Sequence, residues 1–248
     1  MVNIIVIPVL NEEKNIVEVI KKTKKNIDKN DKIIVVDNNS IDNTVSFVKK
    51  NFQEVEIIFE KNKGKGNALR RGFQKALGYK SDFITMIDGD GEKDPADISK
   101  LVEKIKTSDA DMVIGFRSKM RSKRRTVLEK FENWWLRTVT GYDVRDGSCG
   151  FNIFRSDSLA KLELKTKNFE IEPEILLECR RNKMKVIEHP VNVPMLSPTK
   201  VQRKHIIEIN RFFDKWVLNW IKDDSCDLSP IKKMFLKISC KTGLIILR

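Results

Sequence analysis

Short, almost continuous apolar runs alternate with segments of helical periodicity along the first half of the chain. The runs cover residues 3–9, 32–36, 55–59, 83–87 and 112–115. Between them, apolar residues recur three or four positions apart, as helices require. Apolar runs without polar alternation are typical of parallel strands whose two faces are both covered by helices. The pattern therefore predicts an α/β domain built on a mostly parallel sheet.

The ends of these predicted strands are the first place to look for a binding site. Ligands of open α/β sheets bind beyond the carboxyl ends of the strands. That rule selects residues 8–12, 37–40, 61–66 and 88–94, which follow four of the apolar runs.

The second half is less regular. Residues 127–139 carry apolar side chains, with Trp134 and Trp135 among them, and we expect these to lie on one side of a helix. Short strands are predicted at 151–154 and 186–194, with a helix at 172–181 between them. A helical stripe from Ile206 to Trp220 and a lysine-rich tail follow. We therefore expect one domain over residues 1–204 and a C-terminal amphipathic helical extension over 205–248.

Charge separates the two halves more sharply than hydropathy does. Residues 1–116 hold 20 Lys and Arg against 19 Asp and Glu, whereas residues 117–248 hold 28 against 16. Six of the nine residues at 117–125 are basic. This asymmetry favours an anionic partner for the second half, namely a membrane surface, a phosphorylated acceptor or nucleic acid. A solvated, lysine-rich surface is the alternative.

Composition also indicates the compartment. The four cysteines show no CxxC pair and, with two histidines, form no zinc-binding pattern. No apolar stretch is long enough to cross a bilayer. We expect buried thiols and a cytoplasmic protein.

The strongest chemical motif is Asp88-Gly89-Asp90, directly after an apolar run. Two carboxylates one residue apart at a strand end can reach one hard cation, and Glu92 is close enough to supply a third oxygen. Mg²⁺ or Mn²⁺ held in this way completes its shell with substrate phosphates and water. An Asp/Gly-rich turn is the structural alternative.

Two weaker motifs follow neighbouring strands. Residues 62–67 read NKGKGN, in which glycines free backbone N–H groups and Lys65 adds charge, a combination that suits a phosphate. Asp37 could accept hydrogen bonds from a base or ribose, or cap the following helix. Pro8 and Glu12 border the same predicted crevice.

Six segments in this order resemble the family-2 glycosyltransferases of GT-A fold, and in particular the dolichol-phosphate and polyprenyl-phosphate sugar transferases. They are VIPVLNEEKNI, VVDNNSIDNT, KNKGKGNALRRGF, MIDGDGEKDP, DGSCGFNIFRSD and FEIEPEILLECRRNKMKVIEHPV. The resemblance covers residues 3–204. Six co-linear motifs are far more specific than any one of them.

The resemblance implies a site with three parts. The residues bordering the nucleoside are Pro8, Leu10, Glu12 and Asp37. Asp88 would touch the diphosphate–metal group, with Asp90 and Glu92 as ligands of the metal. The residues facing the phosphates, the sugar and the acceptor are Arg117, Asp146 and the turn at 148–151.

Two departures from the family pattern and one feature expected from it bear on these roles. Leu10 stands where relatives often have an aromatic residue, so base stacking is in question. Asn38 replaces a second aspartate. Relatives commonly carry a basic loop after the last strand, for which Lys200, Arg203 and Lys204 are the candidates.

The implied reaction is inverting transfer of a hexose from a UDP- or GDP-sugar, with the metal neutralising the leaving diphosphate. A lipid phosphate acceptor needs no base, because its second pKa of about 6 leaves it largely ionised at neutral pH. A saccharide hydroxyl needs a base, which the acids at 170–174 could supply. The second-half charge favours polyprenyl or dolichyl phosphate on the cytoplasmic face of an anionic membrane, with the protein bound peripherally.

Two other classes are weaker. A sugar nucleotidyltransferase is expected to carry a basic glycine-rich loop after the first strand, where this chain reads Pro8-Val9-Leu10-Asn11-Glu12. A nucleic-acid-binding protein would use residues 117–125 with Trp134 and Trp135. That function would place Asp88 and Asp90 where phosphates should lie, so we expect no nucleic-acid partner.

Overall fold

The computed structural model describes residues 1–117, 123–194, 203–223 and 226–242. Its strands are β1 (Asn3–Val9), β2 (Lys32–Asp37), β3 (Glu56–Phe59), β4 (Phe83–Ile87), β5 (Met112–Arg117), β6 (Phe151–Arg155) and β7 (Val186–Val191). Its α-helices are α1 (Ile16–Lys25), α2 (Thr44–Asn51), α3 (Lys65–Leu77), α4 (Ile98–Lys106), α5 (Lys123–Thr140), α6 (Ser156–Leu159), α7 (Ile171–Arg181), α8 (Arg203–Trp220) and α9 (Pro230–Thr242). A 3₁₀ turn, Pro95–Asp97, precedes α4.

All seven of these strands form one sheet, in the order β3-β2-β1-β4-β6-β5-β7. β6 runs antiparallel to β4 and β5, and the remaining neighbours are parallel. The predicted α/β class with a mostly parallel sheet is confirmed. β1 and β4 are neighbours although they are far apart in sequence, so the strand order reverses there, and a crevice opens at such a point.

The central strands are apolar throughout because helices cover both of their faces. Residues 4–7 of β1 and 33–36 of β2 are almost completely buried. Pro8 pairs with Val36 and Val9 with Asp37, so β1 and β2 end level with each other. The polar residues after each strand therefore lie along one rim.

The last strand is shorter than predicted. It ends at Val191, whereas the sequence suggested an end at residue 194. Asn192 turns away from strand pairing because its backbone N–H donates to the buried carboxylate of Asp97, at 2.6 Å.

The predicted aromatic face of α5 is wrong at one position. Trp135, Leu136 and Val139 are buried, but the side chain of Trp134 is 48% exposed. Consecutive helical residues point about 100° apart, so a face that buries Trp135, Leu136 and Val139 leaves Trp134 on the exposed side. Val127, Leu128 and Phe131 have side chains outside the described residues.

The chain divides into two compact units, Met1–Pro198 and Thr199–Arg248. This boundary lies six residues before the predicted one at 204/205. In the second unit α8 buries Phe213, Val217 and Trp220, so the stripe is core where it is described. Met234 and Phe235 of α9 are exposed. Within the described parts of the chain, no helix combines the length and apolarity needed to cross a membrane.

Candidate active site at the carboxyl rim of the sheet

The rim begins at the ends of β1 and β2. Asp37 is 4% exposed, and each of its carboxylate oxygens lies 3.3 Å from the backbone N–H of Ser40, which donates to it. Glu12 is also buried and accepts a hydrogen bond from the side chain of Asn15 at 2.9 Å. Leu10 is 39% exposed. The predicted nucleoside side thus combines two fixed carboxyl groups with an apolar side chain open to solvent.

Asn38 ties this part of the rim together. Its side-chain N–H₂ donates to the carbonyl oxygens of Glu60 (3.0 Å) and Asn62 (2.8 Å), and its Oδ1 accepts from the N–H of Gly64 (2.7 Å). A carboxylate cannot donate. An aspartate at this position would lose two of the three bonds, which explains why this chain departs from the family pattern here.

The loop that contains Gly64 does not form the predicted phosphate cradle at the positions described. The N–H of Gly64 is bound to Asn38, and that of Asn67 donates to the carbonyl of Lys167 at 3.1 Å. A side chain at Gly64 or Gly66 would overlap the backbone of Thr166 or Lys167. The glycines therefore allow the segment before α7 to pack closely on the loop, and the loop's contribution to the rim is Lys65.

The acidic motif follows β4 and lies against the end of β1. A Cβ at Gly89 would be 2.7 Å from Cγ1 of Val9 and 3.3 Å from the carbonyl of Pro8, so only glycine permits this approach. Asp90 Oδ1 accepts a hydrogen bond from the N–H of Glu92 at 3.0 Å. Asp88 and Asp90 thus lie beside Pro8, as predicted from the strand ends.

Gly150 fixes the other side of Asp88. The Asp88 N–H donates to the Gly150 carbonyl at 3.1 Å, in line with the β4–β6 pairing of Ile87 and Phe151. A Cβ on Gly150 would overlap the Asp88 carboxylate. The turn at 148–151 therefore lies directly against the acidic motif.

Two lysines hold the Asp88 carboxylate, the buried Lys93 and the partly buried Lys65. Its Oδ1 lies 2.6 Å from Lys65 Nζ, and its Oδ2 lies 2.8 Å from Lys93 Nζ. Lys65 also pairs with Glu172 at 2.5 Å. Burial opposes charge on all of these groups, yet the lysines outweigh it and hold the pKa of Asp88 below its usual value. In turn, the acids raise the pKa of Lys65 and Lys93, so both lysines are cationic.

Arg117, the last residue of β5, joins the remaining acids. Its Nε and Nη2 donate to the two oxygens of Asp146, both at 2.6 Å, and its backbone N–H also reaches Asp146, at 3.1 Å. Its Nη1 lies 3.4 Å from Glu92, whose side chain is 1% exposed. A bidentate arginine–carboxylate pair is geometrically fixed, so Arg117 has a defined orientation at the rim.

The three glutamates before and within α7 are engaged inside the protein. Glu174 accepts from the N–H groups of Lys165 and Thr166 and from the Thr166 hydroxyl. Glu172 pairs with Lys65, and Glu170 accepts from the N–H of Asn168 at 3.2 Å. All three are at most 9% exposed. The predicted role of these acids as a base for a hydroxyl acceptor finds no support in this geometry.

Metal binding by the predicted set of Asp88, Asp90 and Glu92 stays a prediction. Among the described residues, no group of three or more His, Cys, Asp or Glu side chains converges as a metal site. Glu92 lies 3.4 Å from Arg117 Nη1, so its carboxylate is engaged in a contact that an ion would have to share. Asp88 and Asp90 remain, and Mg²⁺ is commonly held by one or two carboxylates, with phosphates and water completing its shell.

The charge balance of the cluster around Asp88 and Arg117, counted without the carboxyl groups at the ends of β1 and β2, also fits one divalent cation. Five carboxylates face three cationic side chains, which leaves two negative charges when all eight groups are ionised. The eight are Asp88, Asp90, Glu92, Asp146, Glu172, Lys65, Lys93 and Arg117. A single Mg²⁺ or Mn²⁺ would neutralise that charge.

Sequence reasoning missed two members of this group. Lys93 was not selected, because its position three residues after Asp90 is the only sign in the sequence that it belongs to the site. Glu172 was considered as a base and proves to be the partner of Lys65. Of the basic loop, Lys200 lies outside the described residues. Arg203 begins α8, and its side chain, like that of Lys204, is outside them too.

A protein-family model and several known proteins match this chain. A family model described as Glycosyl transferase family 2 matches residues 4–162. An uncharacterised protein of Methanocaldococcus jannaschii is 34% identical over 75% of this chain and 79% of its own length. UDP-N-acetylglucosamine–dolichyl-phosphate N-acetylglucosaminyltransferase of Methanococcus voltae is 30% identical over 75% of this chain and 83% of its own. Yeast dolichyl-phosphate beta-glucosyltransferase is 27% identical over 76% and 65%.

Solved structures confirm the expected GT-A fold. Glucosyl-3-phosphoglycerate synthase from Mycobacterium tuberculosis, in complex with Mn²⁺, UDP and phosphoglyceric acid, superposes with a TM-score of 0.70 at 19% identity. The match covers 92% of this chain and 79% of that one. The same enzyme has also been crystallised with Mg²⁺ and UDP, and it matches with a TM-score of 0.68.

Proposed function

The chain belongs to glycosyl transferase family 2, and we propose that it is an inverting enzyme that moves a hexose from a UDP- or GDP-sugar to a polyprenyl or dolichyl phosphate. Sequence similarity to transferases named for dolichyl phosphate supports the acceptor. The observation that carries the proposal is the rim itself, where Asp88 and Asp90 lie beside two lysines paired with acids and a fixed arginine.

The engagement of the nearby acids supports a phosphate acceptor over a hydroxyl. An attacking hydroxyl must lose its proton to a base within hydrogen-bond reach. Glu170, Glu172 and Glu174 are buried and bound within the protein, and Asp146 is held by Arg117. A phosphate monoester is largely ionised at neutral pH and needs no such base.

Each side chain of the rim has a role in this reaction. Pro8, Leu10, Glu12 and Asp37 border the nucleoside. Lys65 and Arg117 face the phosphates, where fixed positive charge stabilises the leaving nucleoside diphosphate. Asp146 orients Arg117 through its two hydrogen bonds. Arg203 and the basic residues around it are proposed to reach the acceptor or the diphosphate.

A divalent cation completes the proposed site. Asp90 and Asp88 would hold Mg²⁺ or Mn²⁺, which supplies Lewis-acid neutralisation of the diphosphate when it is bound. The chain's own residues position the donor around it, and their net charge of two negatives is compatible with one such ion.

The test is a panel of UDP- and GDP-sugars incubated with a short polyprenyl phosphate, with the product detected by mass. We expect one sugar to be transferred to the lipid phosphate, and transfer to stop with EDTA and resume with Mg²⁺ or Mn²⁺. Saccharide acceptors in the same panel provide the competing outcome. Product formed on a saccharide hydroxyl alone would overturn the proposed acceptor.

The variant Asp90→Asn tests whether Asp90 is a ligand of the proposed metal ion. We expect turnover to fall about a hundredfold or more, with an unchanged melting temperature. Asp82→Asn is the matched control, because Asp82 precedes β4 at the opposite end of the strand, where it accepts from the Val2 N–H at 2.6 Å. Full activity of Asp90→Asn would defeat the metal assignment.

We also propose that the second unit contacts an anionic membrane surface. On α9, Met234 and Phe235 are 59% and 46% exposed, and Lys237 beside them is also exposed. Exposed apolar side chains among lysines suit the headgroup region of an anionic bilayer. The protein should pellet with anionic liposomes at low salt, and Met234→Ser with Phe235→Ser should weaken this. Recovery of the unaltered protein in the supernatant would remove the proposal.

A further inference from the structure

Lys93 occupies an unusual place for a lysine. It follows the acidic motif Asp88-Gly89-Asp90 by three residues, and its side chain is only 5% exposed. Its Nζ is 2.8 Å from Asp88 Oδ2. Lysine is almost never buried unless it is paired, so the position is specified by the acids around it.

Both oxygens of Asp88 are therefore already bound to a cation. Lys65 takes Oδ1 and Lys93 takes Oδ2, and the overlap that a Cβ at Gly150 would cause shows how tightly the carboxylate is enclosed. A divalent ion that approaches Asp88 must share these oxygens or displace an ammonium group. It also meets the repulsion of a positive charge a few ångströms away, which is strong where water is excluded.

The two lysines differ in how they are held. Lys65 has a second carboxylate partner, Glu172, at 2.5 Å. The ion pair of Lys93 is with Asp88, at 2.8 Å. The charge of Lys93 is thus balanced chiefly by Asp88, one of the two carboxylates that would hold the metal.

We propose that Lys93 is a built-in counter-ion of the acidic motif that keeps its affinity for a free divalent cation low. Resting on the proposed function, this makes Lys93 an affinity-determining residue for the cation. A nucleoside diphosphate brings negative charge that both the lysines and the ion can share. The ion then binds tightly only together with the nucleotide, and by linkage each strengthens the binding of the other to the same degree.

The test measures Mn²⁺ binding directly, by electron paramagnetic resonance of the free ion, with no acceptor or sugar present. The full-length protein is titrated with Mn²⁺ alone and again with saturating UDP or GDP. For the unaltered protein we expect the dissociation constant to fall at least about tenfold when the nucleotide is present. Equal Mn²⁺ affinity with and without both nucleotides would overturn the proposal without any variant.

Lys93→Gln removes the charge and keeps a polar side chain. We expect it to bind Mn²⁺ alone about tenfold more tightly than the unaltered protein, because a repelling charge is gone. The increase in Mn²⁺ affinity that the nucleotide causes should be correspondingly smaller in this variant. Lys93→Arg keeps the charge and should retain weak binding of the free ion.

Lys100→Gln is the matched control, since Lys100 pairs with Asp97 at 2.7 Å but is 54% exposed. It should leave Mn²⁺ binding unchanged. A Lys93→Gln variant that folds, as judged by its circular dichroism, and binds free Mn²⁺ no more tightly would also overturn the proposal. Failure of sugar transfer with the expected Mn²⁺ behaviour would instead count against the proposed function alone.

Discussion

The two parts of the rim are held by different forces. At the ends of β1 and β2, Asn38 and Asp37 are fixed by hydrogen bonds to backbone groups, and the partners are uncharged. At the ends of β4 and β5, Asp88 and Arg117 are fixed by buried ion pairs. The first part keeps one shape, whereas the second is balanced by charges that a bound ion or phosphate can redistribute.

This difference matches what each part is proposed to bind. A nucleoside is neutral and is recognised by shape and hydrogen bonds, so a rim set by backbone contacts suits it. A diphosphate and its cation are charged both when they bind and when they are released. Side chains such as Lys65 and Lys93, already paired with acids, can exchange partners without any charge being left uncompensated.

The largest effect is expected from Arg117→Met. It removes the guanidinium that pairs with two buried acids, Asp146 and Glu92, and breaking buried ion pairs costs about 3–5 kcal/mol of unfolding free energy. Turnover should fall about a hundredfold or more, because fixed charge at the phosphates is lost. Urea unfolding and the transfer assay measure the two effects separately.

Two further variants sharpen this prediction. Arg117→Lys keeps the charge but loses the bidentate geometry, and it should recover part of the stability and little of the turnover. Lys165→Met breaks an ion pair with Glu163 at 3.1 Å in which both side chains are exposed, and it should cost less than about 1 kcal/mol. Equal losses in Arg117→Met and Lys165→Met would show that burial does not distinguish these pairs.

Gly150→Ala should have the next largest effect. Its Cβ would overlap the Asp88 carboxylate, which cannot retreat because both of its oxygens are bound to lysines. We expect a loss of up to about 3 kcal/mol in stability, together with weaker nucleotide binding. Gly78→Ala is the control, since the added Cβ would meet only the Lys75 carbonyl, at 3.2 Å. A fully stable Gly150→Ala protein would mean that Asp88 is more mobile than its contacts indicate.

The sequence was sufficient to place the rim but not to pair its side chains. Apolar runs gave the strands, and the rule that ligands lie at their carboxyl ends brought Pro8, Asp37 and Asp88 together correctly. Arg117 and Asp146 were also selected, each by the resemblance. Their mutual bidentate pair could not be predicted, because it depends on β5 lying beside the antiparallel β6.

The glycine loop shows why local pattern was misleading. Glycine and lysine before a helix favour phosphate binding by backbone N–H groups, and nothing nearby in sequence contradicts it. The contradiction comes from residues 166–167, about a hundred positions later, whose carbonyls fill the space beside Gly64 and Gly66. Lys93 was missed for a related reason, since a charged residue within a turn is normally solvated and its burial is set by tertiary packing.

Asn38→Asp tests the part of the rim at the ends of β1 and β2, which is held by hydrogen bonds to backbone groups. The new carboxylate would lose the bonds to the carbonyls of Glu60 and Asn62 and repel both, and it could not accept and donate as the amide does. We expect the free energy of unfolding to fall by about 2 kcal/mol, while the Gly64 amide keeps its slow hydrogen exchange, because a carboxylate still accepts its hydrogen bond. Asn51→Asp changes an exposed amide that donates only to the Phe47 carbonyl, and should be nearly neutral. An unchanged free energy of unfolding in Asn38→Asp would show that the donor bonds of Asn38 do not contribute to stability.

The smallest effect is expected at Leu10, the exposed apolar residue at the end of β1. If it borders the base, Leu10→Ala should raise the KM for the donor only a few-fold, since Leu10 is already 39% exposed and little burial is lost. Leu10→Tyr should lower that KM, because an aromatic ring can stack on the base for about 0.5–1.5 kcal/mol. Leu77→Ala, on a side chain with a similar 36% exposure at the far end of α3, provides the control. Opposite shifts in KM for Leu10→Ala and Leu10→Tyr, with kcat constant, would place the base beside the end of β1. If KM shifts in neither variant, the base lies elsewhere.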